Sequence, residues 1–213
     1  MRFIGALNAK GGTGKTTLTS CLAVRAAMDG KVAICDLDPQ GSLSDWYRRR
    51  GSPSNPNLLT GADLASDAAE ALMLTRDYDF VFFDGPPGSL LVTEDCIQTC
   101  DFVVIPMRAS GFDLGASRDC ITLCQDLHKP FLIVLNDAGQ RDKNLVENIR
   151  SEIFSWNVPI ADCAVQHRVA YINAAIAGKT GAEKDAKGAG KEIDGLWSEI
   201  LTSIQKAAKE HAA

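Results

Sequence analysis

The sequence predicts an α/β fold in which helices cover both faces of a mostly parallel sheet. Short apolar runs, such as residues 80–83 and 131–135, alternate along the chain with longer segments that have the periodicity of helices. These runs are apolar at every position, which is typical of strands that are buried on both faces. The chain has 213 residues, which is enough for one sizeable core, and we expect residues 1–213 to form a single domain.

The predicted elements alternate between strands and helices. Strands are predicted over residues 2–8, 32–36, 80–84, 102–106 and 131–136. Helices are predicted over residues 15–29, 42–50, 62–76, 90–99, 112–127, 142–156, 168–177 and 190–209. Residues 51–57 are rich in Gly, Ser, Pro and Asn and are expected to form a loop. Residues 178–190 are rich in Gly, Ala and Lys and are expected to form a mobile loop or an irregular turn.

The composition is that of an ordinary globular protein, with 46% hydrophobic and 23% charged residues. The net charge of −5 gives no overall attraction to nucleic acid, so any DNA contact must come from a local basic patch. The apolar runs are too short to span a bilayer, and the N-terminus lacks the apolar segment of a signal peptide. We therefore expect a cytoplasmic protein.

Cysteine usage fits the same expectation. The chain has seven cysteines, an odd number without a secretory signal, which argues against a disulfide framework. Cys96 and Cys100, like Cys120 and Cys124, are four residues apart and would share a helix face. A metal or cluster site is one interpretation of this spacing. We expect small buried hydrophobic side chains instead.

Residues 9–17, with the sequence AKGGTGKTT, lie between the first predicted strand and the first predicted helix, where a phosphate-binding loop is expected. Glycines allow backbone N–H groups to converge on phosphate oxygens, and the N-terminus of the following helix adds a partial positive charge. The Lys15 ammonium is expected to reach the β- and γ-phosphates of ATP, and the Thr16 hydroxyl to bind Mg²⁺. The predicted nucleotide contacts in this loop are Gly11, Gly12, Thr13, Gly14, Lys15, Thr16 and Thr17.

The loop departs from the general pattern in two ways, because Ala9 takes the place of the first glycine and Lys10 follows it. It resembles the deviant Walker A loop of the ParA/MinD family. The resemblance covers nearly the whole chain and is greatest to the small ParA proteins of plasmid partition. It implies a P-loop NTPase fold, a Rossmann-like three-layer sandwich, and an enzyme that hydrolyses ATP to ADP and phosphate with Mg²⁺. It also implies that Lys10 reaches across a dimer interface into the partner's nucleotide site.

Three aspartates lie at or just after the ends of predicted strands, where ligands of parallel sheets bind. Asp36 and Asp38 lie in DLDPQG, which resembles the family's switch I element. The resemblance implies that Asp36 serves the metal shell and that Asp38 positions the attacking water. Asp84 ends the strand FVFFD, a Walker B pattern, and is expected to hold Mg²⁺ through a water or through Thr16. The segment DLDPQG also fits a turn in which Ser42 or Asp38 caps the next helix, and this capping can coexist with the functional roles. The predicted catalytic residues are thus Lys10, Lys15 and Asp38, and the predicted metal residues are Thr16, Asp36 and Asp84.

Other polar residues have two interpretations each. Asn136 ends the strand FLIVLN, where the family often places a polar residue that contacts adenine, although Asn-Asp is also a good turn pair. The position of Arg168 resembles that of DNA-contacting basic residues in ParA proteins. Residues 48–50 are three arginines, which we interpret as a solvated helix end. Four lysines either extend a DNA-binding surface or form a soluble loop: Lys179, Lys184, Lys187 and Lys191.

The resemblance implies a nucleoid-associated ATPase that forms an ATP-dependent nucleotide-sandwich homodimer and binds DNA without sequence specificity. An adaptor protein would stimulate hydrolysis, and the cargo would be a plasmid, a chromosome or another large assembly. The alternative is a MinD-like membrane-associated ATPase that uses the apolar stripe of its last helix. Acidic residues flank this stripe, so we expect it to pack on the core and expect no membrane partner. The stripe consists of Ile193, Leu196, Trp197, Ile200, Leu201 and Ile204. A third interpretation is a metabolic enzyme of the same fold, such as an amidotransferase-linked ligase or an iron–sulfur reductase.

Overall fold

A single parallel sheet organises the chain. The computed structural model describes residues 2–59, 74–88, 90–139 and 143–211. Six parallel strands lie in the order β3-β2-β4-β1-β5-β6. They are β1 (Arg2–Ala6), β2 (Val32–Asp36), β3 (Asn57–Leu59), β4 (Phe80–Asp84), β5 (Phe102–Arg108) and β6 (Phe131–Asn136). The predicted α/β class with a parallel sheet is confirmed.

Helices connect the strands and form the C-terminal part of the chain. They are α1 (Lys15–Ala26), α2 (Ser42–Arg49), α3 (Leu90–Thr99), α4 (Gly111–Asp126), α5 (Lys143–Ser155), α6 (Val169–Ile176), α7 (Gly181–Lys184) and α8 (Lys191–His211). A π-helical turn, Ala186–Gly190, lies between α7 and α8.

The strands are apolar throughout because helices cover the sheet on both faces, as the sequence predicted. One face carries a core that includes Leu18 of α1, Leu43 of α2 and Leu196 of α8. The other face carries a core that includes Ile97 of α3 and Ile153 of α5. The result is a three-layer arrangement of helices, sheet and helices.

The apolar stripe of α8 packs into the first of these cores. Trp197 is 1% exposed, and its ring packs edge-on against Phe80 with 5.0 Å between the ring centroids. Leu201 is partly buried against the same core, and the remaining members of the stripe are at most 7% exposed. The expectation that this stripe packs on the core is confirmed. Within the part of the chain that the structure describes, no helix has both the length and the apolar character needed to cross a membrane.

The strand register brings the carboxyl ends of the central strands into line. Ala6 of β1 pairs with Asp84 of β4, which in turn pairs with Asp36 of β2. The loop that follows β1 therefore lies beside two carboxyl groups. This edge of a parallel sheet is where ligands of such folds bind.

Two predicted features differ from the structure. Residues 178–190 contain α7 and the π-helical turn, so the prediction of a mobile loop or irregular turn was wrong. Order arises here because Thr180 and Glu183 form a capping box, and because the Asp185 carboxylate accepts hydrogen bonds from two backbone N–H groups of the π-helical turn. The short edge strand β3 begins at Asn57, inside the predicted loop. The helix predicted over 62–76 lies largely outside the described residues.

The cysteines occupy the interior. Six are buried and Cys163 is half-buried. Burial raises the pKa of Cys96 to about 11, and it raises the pKa of Cys100 as well, so these thiols stay protonated near neutral pH. Within the described ranges, no group of three or more His, Cys, Asp or Glu side chains could hold a metal ion. The burial of six cysteines agrees with their expected role as small apolar side chains.

Candidate nucleotide site

A cavity of about 660 Å³ opens at the carboxyl edge of the sheet. It lies between the loop that follows β1, the segment that follows β2, and the end of β6. Its wall includes Gly11, Gly12, Gly14, Lys15, Thr16, Thr17, Asp38 and Asn136. Most of the residues predicted to bind nucleotide thus surround one space of suitable size for a small ligand.

The backbone of the phosphate loop needs glycine at two positions. Gly12 and Gly14 have positive φ angles of 74° and 96°, and Gly14 caps the N-terminus of α1. A Cβ atom on Gly14 would lie 1.9 Å from the amide nitrogen of Asn136. That amide donates a hydrogen bond of 2.7 Å to the Thr13 carbonyl, so Asn136 holds the loop in place. Contact between Asn136 and adenine stays a prediction.

Lys15 lies at the start of α1 with its ammonium close to the loop. Its Nζ donates a hydrogen bond of 3.1 Å to the Lys10 carbonyl, and the residue is 7% exposed. Burial lowers the pKa of Lys15, whereas the nearby Asp84 and Asp38 carboxylates act to raise it. The Lys15 ammonium is therefore held at the mouth of the loop, where phosphate oxygens are predicted to bind.

Asp84 is fully buried beside the loop. Its Oδ2 accepts a hydrogen bond of 2.6 Å from the Thr16 hydroxyl, and its Oδ1 has no hydrogen-bond partner among the described residues. Burial raises the pKa of Asp84 to about 7, and the charge of Asp36 adds to this effect. A buried carboxyl oxygen with free lone pairs, next to a threonine hydroxyl, fits a hard cation that prefers oxygen ligands, such as Mg²⁺. Thr16 and Asp84 are the side chains that would hold such an ion.

The two aspartates after β2 organise the turn that leads into α2. Asp36 accepts hydrogen bonds from the backbone N–H groups of Asp38, at 3.2 Å, and of Ser44, at 2.8 Å. Asp38 accepts one from the N–H of Gln40 at 2.9 Å and also faces the cavity. Asp36 therefore accepts an N–H of the first turn of α2 from outside the helix, whereas the N-cap residue of α2 is Gly41 and neither Ser42 nor Asp38. The roles in metal binding and in water positioning stay predictions.

Lys10 is held by a carboxylate that sequence reasoning missed. Its Nζ lies 2.7 Å from Oδ1 of Asp113, which belongs to the first turn of α4. The Lys10 side chain is 34% exposed, whereas that of Asp113 is 5% exposed. The sequence signal for Asp113 is the spacing Ser110-x-x-Asp113, because Ser110 caps α4 and its hydroxyl contacts that carboxylate.

The far wall of the cavity joins the end of β6 to the start of α6. His167 Nδ1 and Asp137 Oδ1 are 2.5 Å apart, and both residues line the cavity. Arg168 also lines it, but its guanidinium pairs with Glu192 at 2.6 Å and with Asp185 at 3.4 Å. The predicted DNA contact of Arg168 stays a prediction, and the structure adds that its charge is already offset by two carboxylates.

A glycine-rich loop between a strand and a helix, with a lysine and a threonine facing a buried aspartate, defines a P-loop nucleotide-binding protein. Residues 4–180 match the family model described as the CobQ/CobB/MinD/ParA nucleotide binding domain. The chain belongs to this family. It is a P-loop ATPase of the ParA/MinD type, and its cofactors are ATP and Mg²⁺.

Individual relatives agree with this assignment. The chain is 31% identical over 208 residues to maintenance of carboxysome distribution protein A from Halothiobacillus neapolitanus, with 92% of this chain and 94% of the relative covered. Its fold is similar to that of apo McdA from Cyanothece, with a TM-score of 0.77 and 19% identity over 94% of this chain and 99% of that one. It is also similar to the septum site-determining protein MinD from Pyrococcus horikoshii, with a TM-score of 0.70 and 18% identity over 93% and 95% of the two chains. The predicted P-loop NTPase fold is confirmed.

Proposed function

We propose that this positioning ATPase acts as an ATP-dependent homodimer that binds DNA without sequence specificity and releases it when ATP is hydrolysed. An adaptor protein on the cargo would stimulate hydrolysis. The membership in a family of positioning ATPases supports the proposal, and the contacts of Lys10 carry it.

Lys10 is a charged side chain without a role inside its own phosphate loop. The ammonium group that faces the phosphate loop is that of Lys15, which donates a hydrogen bond to the Lys10 carbonyl. Lys10 points to Asp113 instead and keeps about a third of its side chain exposed. The neighbouring Gly11 and Gly12 have no side chains that would obstruct a second subunit. These features suit a lysine that leaves Asp113 and binds the phosphates of a second subunit, in a dimer where each subunit does the same.

The relatives, rather than the site, support a choice of cargo class. The Halothiobacillus protein, 31% identical to this chain, is named for carboxysome distribution. A large protein assembly of that kind is the cargo that this similarity favours over the plasmid implied by the sequence motif. Either cargo requires the same cycle of ATP binding, dimerisation, DNA attachment and hydrolysis.

Replacement of Lys10 tests the proposal. Lys10→Ala is expected to keep much of the ATP affinity, because Lys15, Thr16 and the loop amides remain. It is expected to lose ATP-dependent dimerisation and dimer-dependent hydrolysis together, since both need the same assembly. Light scattering with a non-hydrolysable ATP analogue measures dimerisation, and phosphate release measures turnover.

Lys206→Ala provides the matched control, because that lysine is exposed near the end of α8. It is expected to behave like the wild type in both measurements. A Lys10→Ala protein that dimerises and hydrolyses ATP as the wild type does would refute the proposed role of Lys10.

A further inference from the structure

Two exposed basic side chains from distant parts of the chain lie together beside the nucleotide cavity. Arg49 is the last residue of α2, and Lys179 follows the end of α6. Both line a small cavity of about 160 Å³, which also has the hydroxyl side chains of Thr17, Ser42 and Thr180 in its wall. The fold thus builds a compact basic and hydroxyl-rich surface that is not evident from the sequence order.

The junction between α2 and α6 holds these two side chains in place. Gly178 packs so closely on α2 that a Cβ atom there would lie 2.2 Å from the Arg50 nitrogen. The indole N–H of Trp46 donates a hydrogen bond of 3.0 Å to the Lys179 carbonyl. Arg50 donates to the Gly178 carbonyl at 3.1 Å and forms two hydrogen bonds with the Glu183 carboxylate, at 2.8 and 3.0 Å. The position of Lys179 next to α2 is therefore fixed by several independent contacts.

The charges of Arg49 and Lys179 are not offset by any carboxylate in the described ranges. Neighbouring arginines are paired: Arg48 with Asp45, and Arg50 with Glu183. Among the residues that the structure describes, no carboxylate lies within ion-pair distance of Arg49 or Lys179. In a chain with a net charge of −5, this surface offers uncompensated positive charge to an anionic ligand.

Helix α2 links this surface to the nucleotide site. It begins at Ser42, directly after the turn that carries Asp38, and the N–H of Ser44 donates to the Asp36 carboxylate at 2.8 Å. Its eight residues span about 12 Å and end at Arg49. A displacement of the aspartate turn upon nucleotide binding would therefore be carried along the helix to Arg49.

We propose that Arg49 and Lys179 bind the phosphate backbone of duplex DNA, and that α2 makes this contact depend on the bound nucleotide. The inference rests on the proposed function, because it assigns a surface to the DNA binding proposed there. Lysine, arginine and hydroxyl side chains are the groups that contact DNA phosphates without reading sequence. The same cavity wall has the hydroxyl side chains of Thr17, Ser42 and Thr180, which can also donate hydrogen bonds to phosphate oxygens.

The test measures affinity for a random-sequence DNA duplex at several salt concentrations, with ATP present. Each contact with a phosphate releases counterions, so the slope of log affinity against log salt reports the number of contacts. Arg49→Ala and Lys179→Ala are each expected to weaken binding and to reduce that slope by about one. The double variant is expected to reduce it by about two, and Lys206→Ala leaves it unchanged. ATP affinity measured on every variant confirms that the fold and the nucleotide site are intact.

The outcomes separate this inference from the proposed function. If the wild type does not bind the duplex with ATP, the proposed function fails. If the wild type binds but both alanine variants keep its slope, the inference fails and the function stands. If Arg168→Ala reduces the slope while Arg49→Ala and Lys179→Ala do not, the phosphate contact belongs to Arg168. Variants that lose binding to vesicles containing phosphatidylglycerol but keep DNA binding would make this a membrane surface and overturn the inference.

Discussion

Asp84 meets two opposing physical requirements. Its carboxyl group is fully buried, which favours the protonated form, yet a metal site needs the ionised form. The Thr16 hydroxyl and the Lys15 charge lower the pKa of Asp84, but burial outweighs them and raises it to about 7. The nucleotide-free protein therefore carries a destabilising group at the position where a cation is expected to bind.

Asp84→Asn is expected to stabilise the nucleotide-free fold relative to the wild type, by an amount that increases with pH. The folded-state pKa of Asp84, about 7, is above its ordinary value of 3.8, so the unfolded chain loses the proton first. The stability of the wild type consequently falls as pH rises from about 4 to 7, and the variant lacks this loss. The difference in unfolding free energy between variant and wild type is expected to grow by about 2–3 kcal/mol from pH 5 to pH 8.

Urea unfolding of both proteins at the two pH values, with EDTA and without nucleotide, measures this difference. Other titrating groups cancel, because they are common to both proteins. A difference that stays constant with pH would show that Asp84 is ionised in the nucleotide-free fold. The variant is also expected to lose Mg²⁺-dependent hydrolysis, which would show that the destabilising carboxyl group serves function.

The residue types of the site were predictable, but their partners were not. The local motif indicated Lys10, Lys15 and Thr16, because a phosphate loop is contiguous in sequence. The contact of Lys10 with Asp113 and that of Thr13 with Asn136 join residues more than 100 positions apart. A single sequence contains no signal for such pairs, since they depend on how β5 and β6 are placed beside β1.

At the scale of secondary-structure elements, the junction of α2 with the end of α6 leaves no room for a side chain at Gly178. Gly178 has a φ of 64°, and a Cβ atom there would meet the backbone of both Arg49 and Arg50 at 2.2–2.6 Å. Backbone atoms of a helix cannot rotate away as a flexible side chain can. A side chain at Gly178 must therefore separate the two helices.

Gly178→Ala is expected to lower the unfolding free energy by about 2–4 kcal/mol, from left-handed backbone strain and from overpacking. Gly51→Ala measures the backbone strain alone, because Gly51 has a φ of 87° and an added Cβ would meet no described atom within 4 Å. That control is expected to cost about 1–2 kcal/mol. Urea unfolding of the two variants measures both values. Equal costs would show that the close approach of α6 to α2 contributes nothing.

Element boundaries show where local sequence signals suffice. The strands over 32–36, 80–84 and 131–136 were predicted with the bounds that the structure has, because buried parallel strands are apolar at every position. The helical turns after Gly178 were missed, since their Gly, Ala and Lys content suggests a flexible segment. Their order comes from the Thr180–Glu183 capping box, from packing on α6 and from the ion pair of Glu183 with Arg50, which composition does not reveal.

For the molecule as a whole, the nucleotide cavity and the basic surface of Arg49 and Lys179 are joined by one short helix. Asp38 lies at the cavity end of that connection. In the proposed cycle, ATP bound in the cavity allows the basic surface to bind DNA, and hydrolysis of that ATP releases the DNA. A variant that binds ATP but does not hydrolyse it would then stop the entire cycle at the DNA-bound dimer.

Asp38→Ala is the variant expected to do so. ATP affinity should stay near that of the wild type, because Lys15, Thr16 and the loop glycines are unchanged. Turnover should fall about 100-fold or more, the usual contribution of a residue that activates water. The dimer should remain on DNA after free ATP is removed, whereas the wild type dissociates as it hydrolyses, and in cells the cargo should lose its regular positions. Asp45→Ala is the control, because Asp45 is an exposed acid of the same helix that contacts Arg48. If Asp38→Ala hydrolyses ATP at the wild-type rate, another residue activates the water and Asp38 is not required for the hydrolysis step.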